Sequence, residues 1–465
     1  MLGKVFKAYD VRATYPKPLN EKLSWQIGYA CGQYLTQVAS DAGYDDPMMR
    51  HVVVGRDMRA SGPALAKALK KGINDYGAHI IDVGLVDTPF VTFAVNFLSC
   101  AGGVQVTASH NPANYNGFKI CKIHGKPVGM ETGLDDVRRY AAMASADKIV
   151  PKNGREESRD LWADYARHVL QFVSPLLLDG AKTIKVVIDA SNGMAGTMIP
   201  KVFKGVPGLK IIELNFDNSK GTFVHEPNPL VESNLAQLKK AVVDSKAHLG
   251  ICFDGDADRC VVVDETGRTV GCDHLTAWLA TRFLKTHPGA SIVYDLRSSK
   301  ALPEMVQEAG GVPVKCRVGH VFMKQKMADH GAVFGGELSG HFYFRDNFNA
   351  DSGAIAFACI VSALAESGGT MSKQIAPARR YAQSGEINFR TEDKEGALKR
   401  LRGLYPDARI EELDGLTIDL GAWWCNVRMS NTEPLLRLNL EGPDQHTVDI
   451  ALREVSRCLG ERVHH

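Results

Sequence analysis

The chain has 465 residues, of which 45% are hydrophobic and 23% charged, so large cores can form and wholesale disorder is excluded. Its 55 basic and 53 acidic residues give a net charge of +2, which excludes a broad basic surface for nucleic acid or an anionic membrane. The 10 cysteines include no Cys-x-x-Cys pair and no zinc spacing, and the first residues lack the apolar core of a signal peptide. We therefore expect a cytoplasmic protein with reduced thiols, built from about three or four domains.

A strand–helix–strand pattern recurs three times along the chain. The first copy places strands at 51–55 and 79–83 around a helix from Ser61 to Tyr76, with Ser61 as its cap and Gly77 at its end. The second copy covers 184–213 and the third covers 291–315. This repetition predicts three α/β units with largely parallel strand pairing.

Three polar stretches suggest domain boundaries. A charged segment with Pro and Gly at 148–160 is interpreted as a linker, and turns at 264–267 and 366–370 follow apolar runs. We therefore predict α/β domains at 1–152, 153–264 and 265–371, and a smaller α+β domain at 372–465.

Ser109 follows an apolar strand at 104–106 and precedes a run of turn-forming residues. A serine at a strand end leaves room for a bulky reacting group. Lys119 comes ten residues later, after a loop that can fold back. On its own this segment also fits an ordinary surface turn.

Asp254, Asp256 and Asp258 alternate along a tight loop between strands at 249–253 and 260–263. Two like charges ~4 Å apart repel by roughly 4 kcal/mol at an effective dielectric near 20, so the loop predicts a bound cation. Oxygen ligands favour a hard ion, with Mg²⁺ preferred. An EF-hand is disfavoured, because Arg259 stands where its sharp turn needs glycine and strands replace the flanking helices.

Two later turns carry groups suited to a phosphorylated polyol. Glu337 and Ser339 offer an acceptor and a donor between glycines at 335–340, after a strand at 332–334. A turn between strands at 423–427 and 435–440 can cradle a phosphate dianion through Arg428, Ser430, Asn431 and Thr432. His320, before a helical stretch at 321–330, is a candidate acid/base or phosphate ligand. Each feature has an alternative interpretation. The segment 335–340 also fits a glycine-rich turn without a ligand, the turn after 427 also fits a plain polar hairpin, and His320 also fits a helix-capping or structural histidine.

The segments 107–112, 254–259, 336–341 and 428–434 together resemble the four signatures of the α-D-phosphohexomutase superfamily. They are most similar to those of the bacterial phosphomannomutase/phosphoglucomutase members, in the same order over essentially the whole chain. The resemblance implies a heart-shaped protein of four domains around a central cleft. Three would be α/β domains with mixed sheets, and the C-terminal one a smaller α+β domain.

The resemblance also implies roles for individual residues. Ser109, with His110 beside it, would be carried as phosphoserine and join Asp254, Asp256 and Asp258 around Mg²⁺. Lys119 and His320 would be the acid/base groups, with Arg259 beside the transferring phosphate. The implied substrate contacts are Tyr9 and Arg12 in the amino-terminal segment, Arg297, the sugar loop of Glu337, Ser339 and His341, and the clamp of Arg428, Ser430, Asn431 and Thr432. Ala13 replaces a common glycine, Arg297 a common lysine, and Met429 a smaller residue.

The activity implied is the interconversion of hexose 1-phosphate and hexose 6-phosphate, of mannose and/or glucose, through a hexose 1,6-bisphosphate. The expected partner is a small phosphosugar, with no nucleic acid or membrane, and the protein is expected to be a monomer or weak dimer. A phosphoglucosamine mutase and a metal-dependent phosphosugar hydrolase are the alternatives. Leu338 favours the mannose/glucose enzymes, and intact Ser109 and Lys119 argue against a non-catalytic sensor.

Overall fold

The computed structural model describes residues 2–149, 154–430 and 435–463. The chain forms two compact units. The first comprises Met1–Gly271 and Ser339–Gln374, and the second comprises Cys272–Leu338 and Ile375–His465.

The first unit begins with a seven-stranded sheet in the order β1-β5-β4-β2-β3-β7, with β6 paired to β5. Its strands are β1 Val11–Thr14, β2 His51–Arg56, β3 His79–Leu85, β4 Gly102–Val106, β5 Tyr115–Lys122, β6 Lys126–Pro127 and β7 Glu156–Ser158. Its helices are α1 Leu2–Val5, α2 Glu21–Asp41, α3 Gly62–Tyr76, α4 Thr88–Phe97 and α5 Leu134–Met143. Strands β4, β2, β3 and β7 pair in parallel, whereas β5 is antiparallel to β1 and β4. The sheet is therefore mixed, and the predicted β2–α3–β3 unit is confirmed.

Two local predictions in this region need correction. Ser61 occupies the N-cap position of α3, as predicted, but its side chain makes no capping hydrogen bond, and its hydroxyl instead accepts a hydrogen bond from Asn116 Nδ2 at 2.8 Å. The segment interpreted as a linker contains β7, which pairs with β3 through Ile80 and Glu156. Its charged composition concealed a strand because β7 is an exposed sheet edge, where charged side chains remain in water.

A second mixed sheet follows in the order β12-β11-β10-β8-β9. Its strands are β8 Ile184–Asp189, β9 Leu209–Leu214, β10 Leu249–Phe253, β11 Cys260–Asp264 and β12 Thr269–Val270. The accompanying helices are α6 Trp162–Leu170, α7 Pro175–Leu178, α8 Ala195–Phe203 and α9 Ala236–Ser245. Strand β8 pairs in parallel with β9 and β10, and β11 returns antiparallel to β10. The turn of this hairpin is the acidic loop 254–259.

The third α/β region opens the second unit. It comprises α10 Cys272–Thr286, β13 Ser291–Asp295, α11 Ala301–Glu308, β14 Val312–Cys316, α12 His320–Asp329 and β15 Phe334–Gly336. Strand β13 pairs in parallel with both β14 and β15, which confirms the third predicted repeat. Gly335 and Gly336 lie within β15, so the strand expected at 332–334 begins later than predicted.

The chain then returns to the first unit with β16 Phe342–Phe344, β17 Ala350–Asp351 and α13 Gly353–Ser367, followed by α14 Met371–Ile375. The apolar stretch of α13 is buried from Gly353 to Ala365, so it is an internal helix. Among the described residues, no single helix has the length and apolar character to cross a membrane. One bent pair, Gly353–Ser367 with Met371–Ala378, meets that test by length and composition only.

The C-terminal region of the second unit is a seven-stranded sheet in the order β20-β21-β22-β23-β19-β24, with β18 paired to β23. Its elements are β18 Ala382–Gln383, β19 Ile387–Arg390, α15 Lys394–Leu404, β20 Arg409–Glu411, β21 Leu416–Asp419, β22 Trp424–Met429, β23 Leu435–Gly442, α16 Gln445–Leu459 and β24 Glu461–Val463. Neighbouring strands in this sheet pair antiparallel, which confirms the smaller α+β module.

The same turn ends the first strand of each α/β repeat. Asp57, Asp189 and Asp295 each accept a hydrogen bond at Oδ1 from the main-chain N–H two residues later, at 3.0, 2.9 and 2.8 Å. The three copies of the repeat are therefore alike down to a side-chain contact. They differ in the residue that donates, which is Arg59, Ser191 or Arg297.

Candidate active site

Ser109 lies in the turn between β4 and β5 and is fully buried. Its backbone is left-handed, with φ 50°. The hydroxyl donates a hydrogen bond to Asp254 Oδ2 at 2.9 Å and lies 3.3 Å from His110 Nδ1. The turn therefore directs the serine oxygen at the acidic loop.

The three aspartates of the acidic loop converge beside this serine. One carboxylate oxygen from each of Asp254, Asp256 and Asp258 lies within 4.8 Å of the other two. All three side chains are buried. A Cβ on Gly255 would lie 2.4 Å from the main-chain oxygen of Ser109, so the close approach of the two loops requires glycine at this position.

Two neighbours from the first sheet region contact the carboxylates. Lys119 lies on β5, and its Nζ donates to Asp256 Oδ2 at 2.8 Å and to Asp258 Oδ2 at 2.5 Å. Thr88 Oγ1 also donates to Asp256 Oδ2, at 2.5 Å. The antiparallel register of β4 and β5 pairs Lys119 with Gln105, so the loop after Ser109 does fold back, as predicted.

The pKa values of Asp254 and Asp258 are shifted in opposite directions. Burial, followed by repulsion from Asp258 and Asp256, raises the pKa of Asp254 well above its usual range. Burial also opposes ionisation of Asp258, but attraction to Lys119 and His341 holds its pKa well below the usual range. For Lys119, attraction to the carboxylates outweighs burial and raises the pKa. The cluster holds more acidic groups than its one ammonium can neutralise.

This surplus fits a divalent cation. Asp256 Oδ1 is buried and has no hydrogen-bond partner among the described residues, and Asp258 Oδ1 has only His341 Nε2 at 3.4 Å and Arg259 Nε at 3.9 Å near it among them. Buried carboxylate oxygens are costly unless they are paired, protonated or bound to a metal. An all-oxygen donor set of this kind suits a hard ion rather than zinc or copper.

Arg12 and His110 border the serine turn. Arg12 Nη1 donates to Asn111 Oδ1 at 2.7 Å, and its other terminal nitrogen pairs with Asp10. Burial, then the nearby Arg259 and Arg12 charges, lowers the pKa of His110 well below its usual range. His110 is therefore neutral near pH 7.

Arg259 lies between the acidic loop and His341. Its Nε donates to His341 Nε2 at 3.3 Å, and it lies 3.8 Å from Asp254 Oδ2. An antiparallel β-bridge joins Arg259, just before β11, to His341, just before β16, and Cys260 N donates to Gly340 O at 3.1 Å. Ser339 Oγ lies 2.9 Å from His341 Nδ1. Part of the predicted sugar loop thus lies against the predicted metal loop.

A second cluster lies within the second unit. Arg297 follows β13 and forms a fork with Asp295, with Nη2 2.8 Å from Oδ2 and Nε 3.1 Å from Oδ1. Its Nη1 donates to Glu386 Oε2 at 3.4 Å, and the buried Glu337 adds a favourable charge interaction. His320 begins α12 and is half-buried.

Arg428 joins this cluster from β22, so it lies in a strand and not in the turn where we predicted it. Its Nη2 donates to Glu386 Oε2 at 3.2 Å. Arg437 Nη1 lies 3.7 Å from Glu386 Oε1. The Nε atoms of Arg428 and Arg437 are buried without a hydrogen-bond partner among the described residues. Three guanidinium groups therefore converge on one carboxylate.

The remaining predicted residues are placed as follows. Ser430 is buried at the end of β22, and Tyr9 is half-buried before β1. Asn431 and Thr432 lie outside the described residues. The first unit thus brings together Ser109, His110, Lys119, Arg12, Asp254, Asp256, Asp258, Arg259, Ser339 and His341, and the second contains Arg297, His320, Glu337, Arg428 and Ser430.

Sequence reasoning missed several residues of these clusters, namely Asp57, Arg59, Thr88, Glu386 and Arg437. The one available signal was the pattern Asp-x-Arg directly after an apolar strand, which occurs at both Asp57 and Asp295. The other residues carry no local pattern that distinguishes them from ordinary polar positions.

Comparisons with known proteins cover almost the whole chain. Four domain descriptions of phosphoglucomutase/phosphomannomutase match in order: alpha/beta/alpha domain I at 3–143, domain II at 163–267, domain III at 272–381 and the C-terminal domain at 386–455. The chain is 38% identical over 459 residues to the phosphohexose mutases of Xanthomonas campestris pv. campestris (strain B100), covering 98% of each chain. It is 36% identical over 450 residues to a phosphomannomutase of Salmonella typhimurium, covering 94% of each.

Among solved structures, the fold is similar to a phosphoglucomutase/phosphomannomutase family protein from Burkholderia thailandensis. The TM-score is 0.87 at 29% identity, covering 98% of this chain and 96% of the other. The chain therefore belongs to the phosphoglucomutase/phosphomannomutase family and is an isomerase that interconverts hexose phosphates.

Proposed function

We propose that this enzyme interconverts the 1- and 6-phosphates of mannose and/or glucose through phosphoserine at Ser109 and a hexose 1,6-bisphosphate. The observation that carries the proposal is the contact of Ser109 Oγ with Asp254 Oδ2 at 2.9 Å, within a buried cluster of three aspartates and one lysine. A hydroxyl in this position can form a phosphate ester beside a cation. The small-molecule partner is a hexose phosphate.

Mg²⁺ is the cation we propose, held by Asp254, Asp256, Asp258 and a phosphoserine oxygen. When bound, it would neutralise charge on the phosphoryl oxygens and on the departing serine oxygen. The buried Asp256 Oδ1, which has no hydrogen-bond partner among the described residues, supports this assignment.

The reaction consists of two phosphoryl transfers. In the first, the bond from phosphorus to Ser109 Oγ breaks, a bond to a sugar hydroxyl oxygen forms, and the hydroxyl proton passes to a base. The bisphosphate then turns over and returns its other phosphoryl group to Ser109. Phosphoserine carries about −1.5 to −2 at pH 7, so Arg259 and Lys119 have a large negative charge to offset.

Lys119 and His320 are the proposed acid/base groups. Attraction to the aspartates raises the pKa of Lys119, so this residue is protonated at rest and is suited to donate a proton or to hold positive charge. Arg12, fixed by Asp10 and Asn111, supplies a second cation at the serine turn. His110 is neutral, and its Nδ1 lies 3.3 Å from Ser109 Oγ. Depending on its tautomer, it can donate a hydrogen bond to this oxygen or accept one from the hydroxyl.

Substrate orientation requires groups that do not react. We propose that Arg428, Ser430, Asn431 and Thr432 bind the distal phosphate, with Arg297 and Tyr9 as further contacts. The sugar hydroxyls form hydrogen bonds with Glu337, Ser339 and His341. A guanidinium fork matches phosphate geometry, and the existing carboxylate contact of Arg428 supports an anion-binding role. We further propose that the enzyme is a cytoplasmic monomer or weak dimer.

Mass analysis and product analysis test this proposal together. Protein incubated with glucose 1,6-bisphosphate should carry one phosphate on the peptide containing Ser109, and the Ser109→Ala variant should lose both the phosphate and the mutase turnover. A protein that isomerises hexose phosphates without ever carrying that phosphate would refute the mechanism. Release of inorganic phosphate without the isomeric sugar would identify a hydrolase instead. Comparing kcat/KM for mannose, glucose and glucosamine 1-phosphates then assigns the sugar.

A further inference from the structure

Arg59 lies behind the serine turn and has no solvent exposure. All five of its N–H groups are used. Nε donates to Asp57 Oδ2 at 3.1 Å, Nη1 to the carbonyls of Pro112 and Tyr115 at 2.7 and 3.0 Å, and Nη2 to those of Ser109 and Asn111 at 2.8 and 2.7 Å. One side chain therefore holds four carbonyls of the segment that carries the proposed nucleophile.

Asp57 completes the connection on the other side of Ser109. Its Oδ2 accepts a hydrogen bond from Thr107 Oγ1 at 2.7 Å, and Thr107 Oγ1 in turn accepts one from Ser109 N at 2.9 Å. The main-chain N–H and C=O of Ser109 are thus both tied to the Asp57–Arg59 pair. This explains how a non-glycine residue is kept at φ 50°, a conformation that costs energy unless its surroundings hold it.

Arg59 is not needed for its own turn. The equivalent turn of the second repeat has Ser191 in place of the arginine, and it forms the same hydrogen bond to Asp189. A buried ion pair is also a poor source of stability compared with well-packed apolar residues. The requirement for a guanidinium at position 59 therefore comes from the four carbonyls of the serine turn.

We infer that Arg59 is a positioning residue for phosphoryl transfer, which fixes the 109–115 turn so that Ser109 Oγ stays directed at the acidic loop. This inference rests on the proposed function of Ser109. The hydrogen bonds of Arg59 go to Asp57 and to main-chain carbonyls of the turn, so its effect is transmitted through the main chain.

The test compares Arg59→Lys and Arg59→Ala with the wild-type enzyme. Lysine keeps the charge but has three donors at one point and cannot reach four carbonyls. We expect kcat to fall by about 100-fold in Arg59→Lys with KM changed less than about threefold, because a misplacement of about 1 Å at the reacting atoms costs about that much. Activities are normalised to the folded fraction measured by circular dichroism, so that loss of stability is counted separately.

Guanidinium rescue distinguishes positioning from general stability. Millimolar guanidinium chloride should restore kcat in Arg59→Ala by about tenfold or more, whereas methylammonium chloride, a cation without the fork, should not. Such concentrations should not raise the midpoint of thermal unfolding. If the alanine variant fails to fold, the kcat and KM of Arg59→Lys alone decide whether Arg59 positions the serine turn.

Arg56→Lys is the matched control. Arg56 ends the same strand β2 and donates to the Asp57 carbonyl at 3.3 Å instead of to the serine turn, so its kcat should stay within about twofold. An Arg59→Lys enzyme with near-normal kcat, or one that changes only KM or stability, would overturn the inference. Absence of phosphate on Ser109 in an active wild-type enzyme would instead refute the proposed function, so the two failures are distinguishable.

Discussion

The carboxylate of Glu386 accepts a hydrogen bond from Arg428 Nη2 at 3.2 Å. The same carboxylate lies 3.4 Å from Arg297 and 3.7 Å from Arg437, so an internal anion offsets part of the positive charge of the cluster that we propose for the substrate phosphate. A phosphate entering this cluster must compete with Glu386 for the same guanidinium groups.

This competition predicts that Glu386→Gln binds anions more tightly. Removing one negative charge should lower the Kd for inorganic phosphate and the KM for hexose 1-phosphate by about three- to tenfold, because Glu386 is exposed and two unit charges ~4 Å apart in bulk water interact by about 1 kcal/mol. Calorimetric titration with phosphate measures the effect, and the exposed Glu392→Gln is the control. Weaker binding would show that Glu386 orients the arginines instead of competing with the ligand.

Arg428→Ala should mainly weaken substrate binding. The lost charge-assisted contact is worth about 1.5–3 kcal/mol, so KM should rise by about 10- to 100-fold with a smaller change in kcat. Steady-state kinetics with hexose 1-phosphate measures both constants. Arg402→Ala, on an exposed helix face of the same region, should leave both unchanged. An unaltered KM and kcat in Arg428→Ala would remove this residue from the clamp.

Thr88→Val should reduce the affinity for the proposed Mg²⁺. Thr88 Oγ1 donates to Asp256 Oδ2 at 2.5 Å, and loss of such an orienting contact typically costs about 10- to 100-fold in metal affinity or activity. The Mg²⁺ concentration for half-maximal activity should rise accordingly, and exhaustive chelation should stop turnover in the wild type. Thr36→Val removes a hydroxyl bound within helix α2 and serves as the control. Activity that survives chelation contradicts the metal role of the aspartates.

Asp87→Asn should alter the pH dependence of stability. Burial raises the pKa of Asp87 to about 7, above an unfolded value of about 3.9. Between these values the folded state binds a proton that the unfolded state lacks, so Asp87 lowers the free energy of unfolding progressively as pH rises from about 4 to 7. Asparagine does not titrate, so the free energy of unfolding of the variant should not fall in this way. The difference between the variant and the wild type should therefore grow by about 2–4 kcal/mol as pH rises from about 4 to 7.

Urea unfolding at pH values of about 4.5, 6 and 7.5 measures this difference. The amide oxygen of the variant can still accept the hydrogen bond that Tyr165 donates to Asp87 at 2.8 Å, so packing should change little. The exposed Asp45→Asn should give a profile parallel to the wild type. A parallel profile for Asp87→Asn as well would mean that this carboxylate is ionised in the folded protein.

The sequence alone determined most of the secondary structure and placed Ser109 in a turn and the three aspartates in a tight loop. Apolar runs with strand spacing, ended by glycine and polar turn formers, located most of the strands of the three repeats. The alternation of Asp254, Asp256 and Asp258 predicted their convergence, because a tight loop brings neighbouring positions to one side whatever else the chain does. The predictions that the structure corrects are the side-chain cap of Ser61, whose hydroxyl contacts Asn116, the linker that contains the edge strand β7, and the strand bounds at β15 and Arg428.

Only the tertiary structure decided which residues hold these loops in place. Lys119 contacts Asp256 across 137 residues and Thr88 contacts it across 168, while Arg59 reaches the serine turn from 50 residues away. Thr88 and Glu386 are single polar residues without periodicity, so a sequence pattern does not distinguish them from solvated positions. The Asp57-x-Arg59 pattern marks Arg59 but does not show which carbonyls it contacts. Their roles arise when sheet pairing and burial bring them to groups that water no longer satisfies, because a buried carbonyl or carboxylate must then find its partner within the protein.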